Sequence, residues 1–224
     1  AATYPPRVSW DDVKSSLAGL VGGDPEGFVF PRNTTEAMNF VANGLDLPDG
    51  AEVLSTDHEH IGGIEPWKLV TRRRVLPLRT VSLPAPAASS EELLEAVWSG
   101  VTDRTRVVCV SHITFTTGTI LPITELSARC AARDIVLAVD GAHPPGMIQM
   151  DLNTLGGDFY ASSPHKWLLA PQGTGLLYIA EPWREKLWPT LASGGWDDMT
   201  LGAHRFNHMG TMDESRIAGL LAAT

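Results

Sequence analysis

The run Ile135-Val136-Leu137-Ala138-Val139 ends on Asp140-Gly141-Ala142-His143, and a second run, Phe159-Tyr160-Ala161, ends just before Ser162-Ser163-Pro164-His165-Lys166-Trp167. Both runs are short, apolar and rich in β-branched or aromatic residues, as strands covered on both faces are. Arg106–Val110 and Gly175–Ile179 read the same way. Helical patterns fall between and before them: Trp10–Val21, Thr35–Asn43, Glu91–Trp98 and Ile123–Arg133. Ser89 and Glu92 stand at capping-box spacing and fix the start of the third helix. Apolar runs alternating with helices predict an α/β fold, with a mostly parallel central sheet flanked by helices. No internal repeat interrupts the pattern, and the proline- and alanine-rich stretch Val81–Ser90 reads as a surface loop.

Composition narrows the function classes. With 224 residues, 43% of them hydrophobic, the chain can build one sizeable core. A formal net charge of −9 gives no electrostatic footprint for nucleic acid, and the short basic cluster Arg72-Arg73-Arg74 reads as a solvated face. Nothing approaches the ~18 consecutive apolar residues of a membrane span. Ala1-Ala2-Thr3-Tyr4-Pro5-Pro6 lacks a basic start followed by an apolar core, so a cytoplasmic protein is expected. Cys109 falls in a strand and Cys130 on an amphipathic helix, the positions of inert core thiols. The sequence has no G-x-S-x-G elbow, no G-x-x-x-x-G-K loop and no G-x-G-x-x-G, which removes serine hydrolase and nucleotide-loop readings.

Lys166 and Asp140 carry the chemistry. A lysine becomes a Schiff-base nucleophile when partial burial and a nearby cation favour its free amine, and His165 is a neighbour able to help; Trp167-Leu168-Leu169 just after it predict burial. A carboxylate at the end of one strand and a lysine after the next suit pyridoxal phosphate, an aldehyde at one point and a basic pyridine nitrogen at another. Asp140 would keep that nitrogen protonated, so that the ring accepts electrons from a substrate Cα carbanion. Taken alone, Asp140 is equally a helix cap or a metal ligand. Asn33-Thr34-Thr35 precedes a helix and reads either as an ordinary N-cap or as an anion site. His58-Glu59-His60 has ligand-type residues but no metal-site spacing, so no metal is expected. Ser111-His112-Ile113-Thr114-Phe115 follows a strand, beyond whose carboxyl end α/β sheets place ligands. Gly210-Thr211 by itself is a common turn.

Read together, Asn33-Thr34-Thr35-Glu36-Ala37-Met38-Asn39, Glu59-His60, Ser111-His112, Asp140-Gly141-Ala142-His143, Ser163-Pro164-His165-Lys166-Trp167-Leu168 and Gly210-Thr211 resemble the class V aminotransferase-fold (fold type I) enzymes. The nearest branch is isopenicillin N epimerase-like, with cysteine desulfurases and carbon–sulfur lyases as cousins. The resemblance implies that Thr34 and Thr35 bind the cofactor phosphate, with Ser163 and His165 donating to it or its surroundings. It implies that His60 stacks over the pyridine ring and relays protons at Cα. Desulfurases commonly carry an asparagine where Phe115 stands; Phe115 cannot hydrogen-bond, which leaves His143 as the partner of the ring's phenolic side. Thr211 would complete the phosphate site of a partner subunit, implying a homodimer with shared sites, and Arg205 would belong to the same surface.

The expected activity is therefore Cα deprotonation of an amino-acid substrate, of epimerase or carbon–sulfur lyase type. Lys166, His60 and Asp140 are the expected catalytic residues. The alternatives are a cysteine desulfurase or aminotransferase of the same superfamily, or a non-catalytic cofactor-binding fragment. Residues 1–27 are expected to form an N-terminal helical segment of the same domain, and 28–224 the large cofactor-binding domain. The small C-terminal domain, where the family usually places the arginine that grips a substrate carboxylate, is expected to be missing.

Overall fold

A computed structural model describes residues 8–207 and 209–224. Residues 1–7, which begin the expected N-terminal segment and include the stretch read for a leader, lie outside the described residues. Seven strands form one sheet in the order β1-β7-β6-β5-β4-β2-β3. They are β1 (Phe28–Val29), β2 (Glu52–Thr56), β3 (Leu78–Val81), β4 (Thr105–Ser111), β5 (Val136–Asp140), β6 (Phe159–Ser162) and β7 (Leu176–Ile179). β3, β2, β4, β5 and β6 pair in parallel, whereas β7 runs antiparallel to both β6 and β1. The sheet is the mostly parallel one expected.

Alternation along the strands divides the core in two. Val108, Val110, Leu137, Val139 and Tyr160 face one side, against α1 (Trp10–Val21), α4 (Ser90–Trp98), α5 (Ile123–Ala131) and α7 (Ser215–Ala223). Val107, Cys109, Val136, Ala138 and Phe159 face the other, against α2 (Thr34–Gly44) and α3 (Ile61–Arg74). Period-two side-chain direction lets one apolar run feed both layers. Between β5 and β6 lies the single-turn α6 (Leu152–Leu155). Both cysteines are buried, as their positions implied, and Arg72, Arg73 and Arg74 are exposed.

The four expected strands and four expected helices are present, with ends shifted by no more than two residues. α3 went unrecognised because it contains Gly62, Gly63 and Pro66, all poor helix formers. β2 was hidden by its polar letters. Glu52 is buried there because the Thr102 hydroxyl donates to it at 2.6 Å and the Arg104 guanidinium pairs with it.

Arg205, expected at a subunit surface, is corrected by the structure. It is buried, and its guanidinium donates to the carbonyls of Arg184, Glu185, Leu187 and Trp196. A planar fork with five N–H donors suits an irregular segment whose carbonyls have no ladder partner. Arg205→Met, of similar length but without donors, should lower unfolding free energy by on the order of 3 kcal/mol by stranding those carbonyls. A urea titration showing a lower midpoint at unchanged slope checks this.

Candidate active site

Chain order reverses across the sheet between β2 and β4, and the carboxyl ends of β2, β4, β5 and β6 lie side by side at that point. This is where open α/β sheets hold ligands. The parallel register aligns Ser111 with Asp140 and Asp140 with Ala161, so the strands deliver their last side chains at one level.

The N-terminus of α2 closes one side. Asn33 is its N-cap, accepting from the Glu36 amide at 2.9 Å. Both ends of Thr34 meet Ser163: the Thr34 amide donates to Ser163 Oγ at 3.0 Å, and the two hydroxyl oxygens are 2.7 Å apart. Thr34 and Ser163 are buried, while Thr35 is exposed beside them. The hydroxyls expected around one anion are thus gathered at a helix N-terminus.

Asp140 ends β5 with its carboxyl buried, accepting from the Ala142 amide at 3.0 Å. Burial pushes its proton affinity up; the Ala142 N–H, Lys166 and His60 pull the other way. Lys166 Nζ lies 3.4 Å from His143 Nε2, and the Trp167 indole donates to His143 Nδ1 at 3.0 Å. Of the burial expected for Lys166 the structure shows a part: Lys166 is half-buried, while the residues that signalled it are open to solvent, Trp167 at 51% and Leu169 at 84%. The Lys166 amine lies beside His143.

His60 caps α3, its Nδ1 accepting from the Gly62 amide at 3.0 Å, and its ring meets Phe115 edge to face with centroids 5.0 Å apart. The Nδ1 of His165 donates at 2.8 Å to the carbonyl of Thr174 before β7. Thr211 is exposed in a separate cleft with Trp10, His204, Asn207 and Met212. Among the described residues, no cluster of three or more His, Cys, Asp or Glu side chains is placed to hold a metal ion.

The sequence profile of the aminotransferase class-V family matches residues 8–223. The chain belongs to that family. It is 42% identical over 192 residues to an isopenicillin N epimerase of Streptomyces clavuligerus, covering 86% of this chain and 48% of that one. A second isopenicillin N epimerase, from Amycolatopsis lactamdurans, is 37% identical, with coverages of 94% and 54%. A probable cysteine desulfurase of Methanothermobacter thermautotrophicus is 31% identical over 82% of this chain and 45% of its own length. The chain spans about half the length of these curated relatives. Among solved structures, the cystine C–S lyase C-DES in complex with its reaction product cysteine persulfide superposes with a TM-score of 0.83 at 30% identity, covering 95% of this chain and 59% of that one. A second C-DES structure, of a mutant with glycine covalently linked to the PLP cofactor, has the same TM-score at 29% identity, with coverages of 95% and 58%.

Within this class V aminotransferase framework, one carboxyl was quoted in the sequence without a role. Glu59 accepts at 2.6 Å from Thr56 Oγ1 at the end of β2 and at 2.6 Å from Ser111 Oγ at the end of β4, beside Asp140. The only signal available was its place between a strand end and His60. Behind Asp140, His112 Nδ1 and the Tyr160 hydroxyl pair at 2.9 Å in the core. Burial drives the His112 proton affinity down to about 4, so the imidazole there is neutral.

Burial pushes the Glu59 carboxyl up to about 7; Asp140 adds in the same direction, and the Ser111 and Thr56 hydroxyls oppose. An acid with higher proton affinity in the folded chain stabilises the fold while protonated. That contribution is complete below its ordinary value of 4.5 and is lost as pH rises through about 7. Glu59→Gln mimics the protonated state, so its stability relative to the parent should grow across that window by on the order of 3 kcal/mol. Urea titrations at stepped pH values check this. A pH-independent difference would refute it.

Proposed function

We propose that this chain forms the cofactor-binding core of an enzyme that uses pyridoxal 5′-phosphate to remove the Cα proton of an amino-acid substrate, with epimerisation or carbon–sulfur bond cleavage as the outcome. The observation that carries the reading is the convergence of Lys166, His143 and buried Asp140 at the strand ends, opposite the Thr34–Ser163 hydroxyl pair on a helix N-terminus.

Space and donors both fit the cofactor. A Cβ on Gly63 would lie 2.5 Å from Asp140 Oδ2, and one on Gly62 would lie 2.3 Å from Thr35 Oγ1, so the glycines keep the first turn of α3 clear of both functional groups. The cofactor is pyridoxal 5′-phosphate, which when bound supplies an electron sink for a carbanion. Asp140 would hold the proton at the pyridine nitrogen through a charge-assisted hydrogen bond. Thr34, Thr35 and Ser163 would hold the phosphate, His60 the ring face, and His143 the phenolic oxygen. His165 supports the Lys166 loop through Thr174. Lys166 would hold the cofactor covalently, and its amine would be the base that moves the proton at substrate Cα.

An epimerase or carbon–sulfur lyase is the preferred reading because the two isopenicillin N epimerases above are 42% and 37% identical against 31% for the probable desulfurase. Neither thiol of this stretch is a nucleophile candidate, since burial pushes Cys109 well above its ordinary value and Cys130 up to about 12. The active unit in this reading is a homodimer, with Thr211 completing the partner's phosphate site. Its exposure away from the Thr34–Ser163 pair supports that assignment. The reading takes amino acids as substrates and no nucleic acid or membrane partner. Among the described residues, no helix is long and apolar enough to cross a membrane. A cytoplasmic setting is part of the reading and is supported by two free thiols.

Borohydride reduction followed by peptide mapping should place the cofactor on Lys166; attachment to Lys14, Lys68 or Lys186 instead refutes the assignment. Asp140→Asn should retain cofactor yet lose at least ~100-fold of the Cα hydrogen–deuterium exchange with a reactive amino acid. Exchange at the parent rate removes Asp140 from the chemistry, and a parent that binds cofactor without any exchange across a panel of D- and L-amino acids and cysteine conjugates supports the non-catalytic alternative.

A further inference from the structure

Both ring nitrogens of His143 have neighbours of different kinds. The Trp167 indole donates to Nδ1 at 3.0 Å, and Lys166 Nζ stands 3.4 Å from Nε2. An indole nitrogen can only donate, so Nδ1 must present a lone pair; a neutral imidazole then carries its single proton on Nε2. We propose that Trp167 is a positioning residue that locks His143 in the Nε2–H tautomer, so that the ring shows an N–H donor, and not a lone pair, to Lys166 and the space in front of it.

The arrangement is braced on both sides. The loops carrying His143 and Trp167 touch so closely that a Cβ on Gly146 would lie 2.5 Å from the Trp167 carbonyl oxygen. The Lys166 amide donates to the Ser163 carbonyl at 2.9 Å, which fixes the turn that carries the indole. Burial, Lys166 and His60 lower the proton affinity of His143, so the neutral ring is the form present near neutral pH. The lock also accounts for a large aromatic side chain that stays half in solvent while its one polar atom is spent on His143. A fixed Nε2–H suits an oxygen anion; a protonated Lys166 amine has donors only, so its 3.4 Å approach to Nε2 is then a contact and not a hydrogen bond. On the functional reading above, on which this part rests, that donor serves the phenolic oxygen of the cofactor and leaves Lys166 to react through its nitrogen lone pair.

Long-range ¹H–¹⁵N correlation of chain labelled with ¹⁵N-histidine distinguishes the two neutral tautomers directly and needs no cofactor. The His143 signals are identified among the seven histidines by their loss in His143→Gln. The expected result is a pure Nε2–H pattern in the parent and a shift towards the Nδ1–H pattern in Trp167→Phe. A parent ring that is Nδ1–H or mixed overturns the proposal without reference to any variant, as does a folded Trp167→Phe chain that keeps the parent pattern. Attachment of added pyridoxal phosphate to Lys166 is scored separately by borohydride reduction. A pure Nε2–H ring in a chain that attaches no cofactor supports the lock and overturns the functional reading.

Discussion

A carboxylate withdrawn from water at the end of a parallel strand is the constraint around which this molecule is arranged. Asp140 cannot stay charged there without compensation, since a buried ion lacking partners costs several kcal/mol. The chain answers with an amide two residues on, a lysine on the loop after the next strand and a histidine capping α3. Each of these sits where it does because parallel register brings the ends of β2, β4, β5 and β6 to one level. The crevice is the by-product of that alignment.

A second, half-buried carboxyl within electrostatic reach would be expected to undo the arrangement. Glu59 is tolerated because it receives two hydroxyl hydrogen bonds and takes up a proton more readily than an exposed glutamate. The two acids share one low-dielectric region: burial raises both, and it is opposed at Asp140 by an amide, Lys166 and His60 and at Glu59 by hydrogen bonds from Ser111 and Thr56. Asp140 keeps the cationic surroundings, and with them the ability to meet a positively charged ring nitrogen.

Much of this was legible in the sequence, and the exceptions have physical causes. Strands such as Val136–Asp140 showed themselves because burial on both faces demands unbroken apolar letters. β2 did not, because its glutamate is satisfied by Thr102 and Arg104, residues about fifty positions away. Lys166, His143 and Asp140 were singled out from their neighbours along the chain, and the fold brings them together. The apolar letters after Lys166 pointed to its burial, and it is half-buried, yet Trp167 itself lies half in solvent and its indole nitrogen serves His143, a contact 24 residues apart. Glu59 and the His112–Tyr160 pair depend on contacts 52 and 48 residues apart, which no local pattern reports.

The paired glycines that open α3 carry a thermodynamic consequence. Each lowers helix propensity by about 1 kcal/mol relative to alanine, and Pro66 removes a further backbone donor within the same helix. The first turn therefore owes its order to the His60 cap and to its contacts with Thr35 and Asp140, not to its own sequence. Backbone amides at 61–64 are therefore expected to open more readily than those of the later turns of α3. Anything that fills the crevice against Asp140 and Thr35 draws on the same contacts, so occupancy and the ordering of this turn are linked functions, each raising the other.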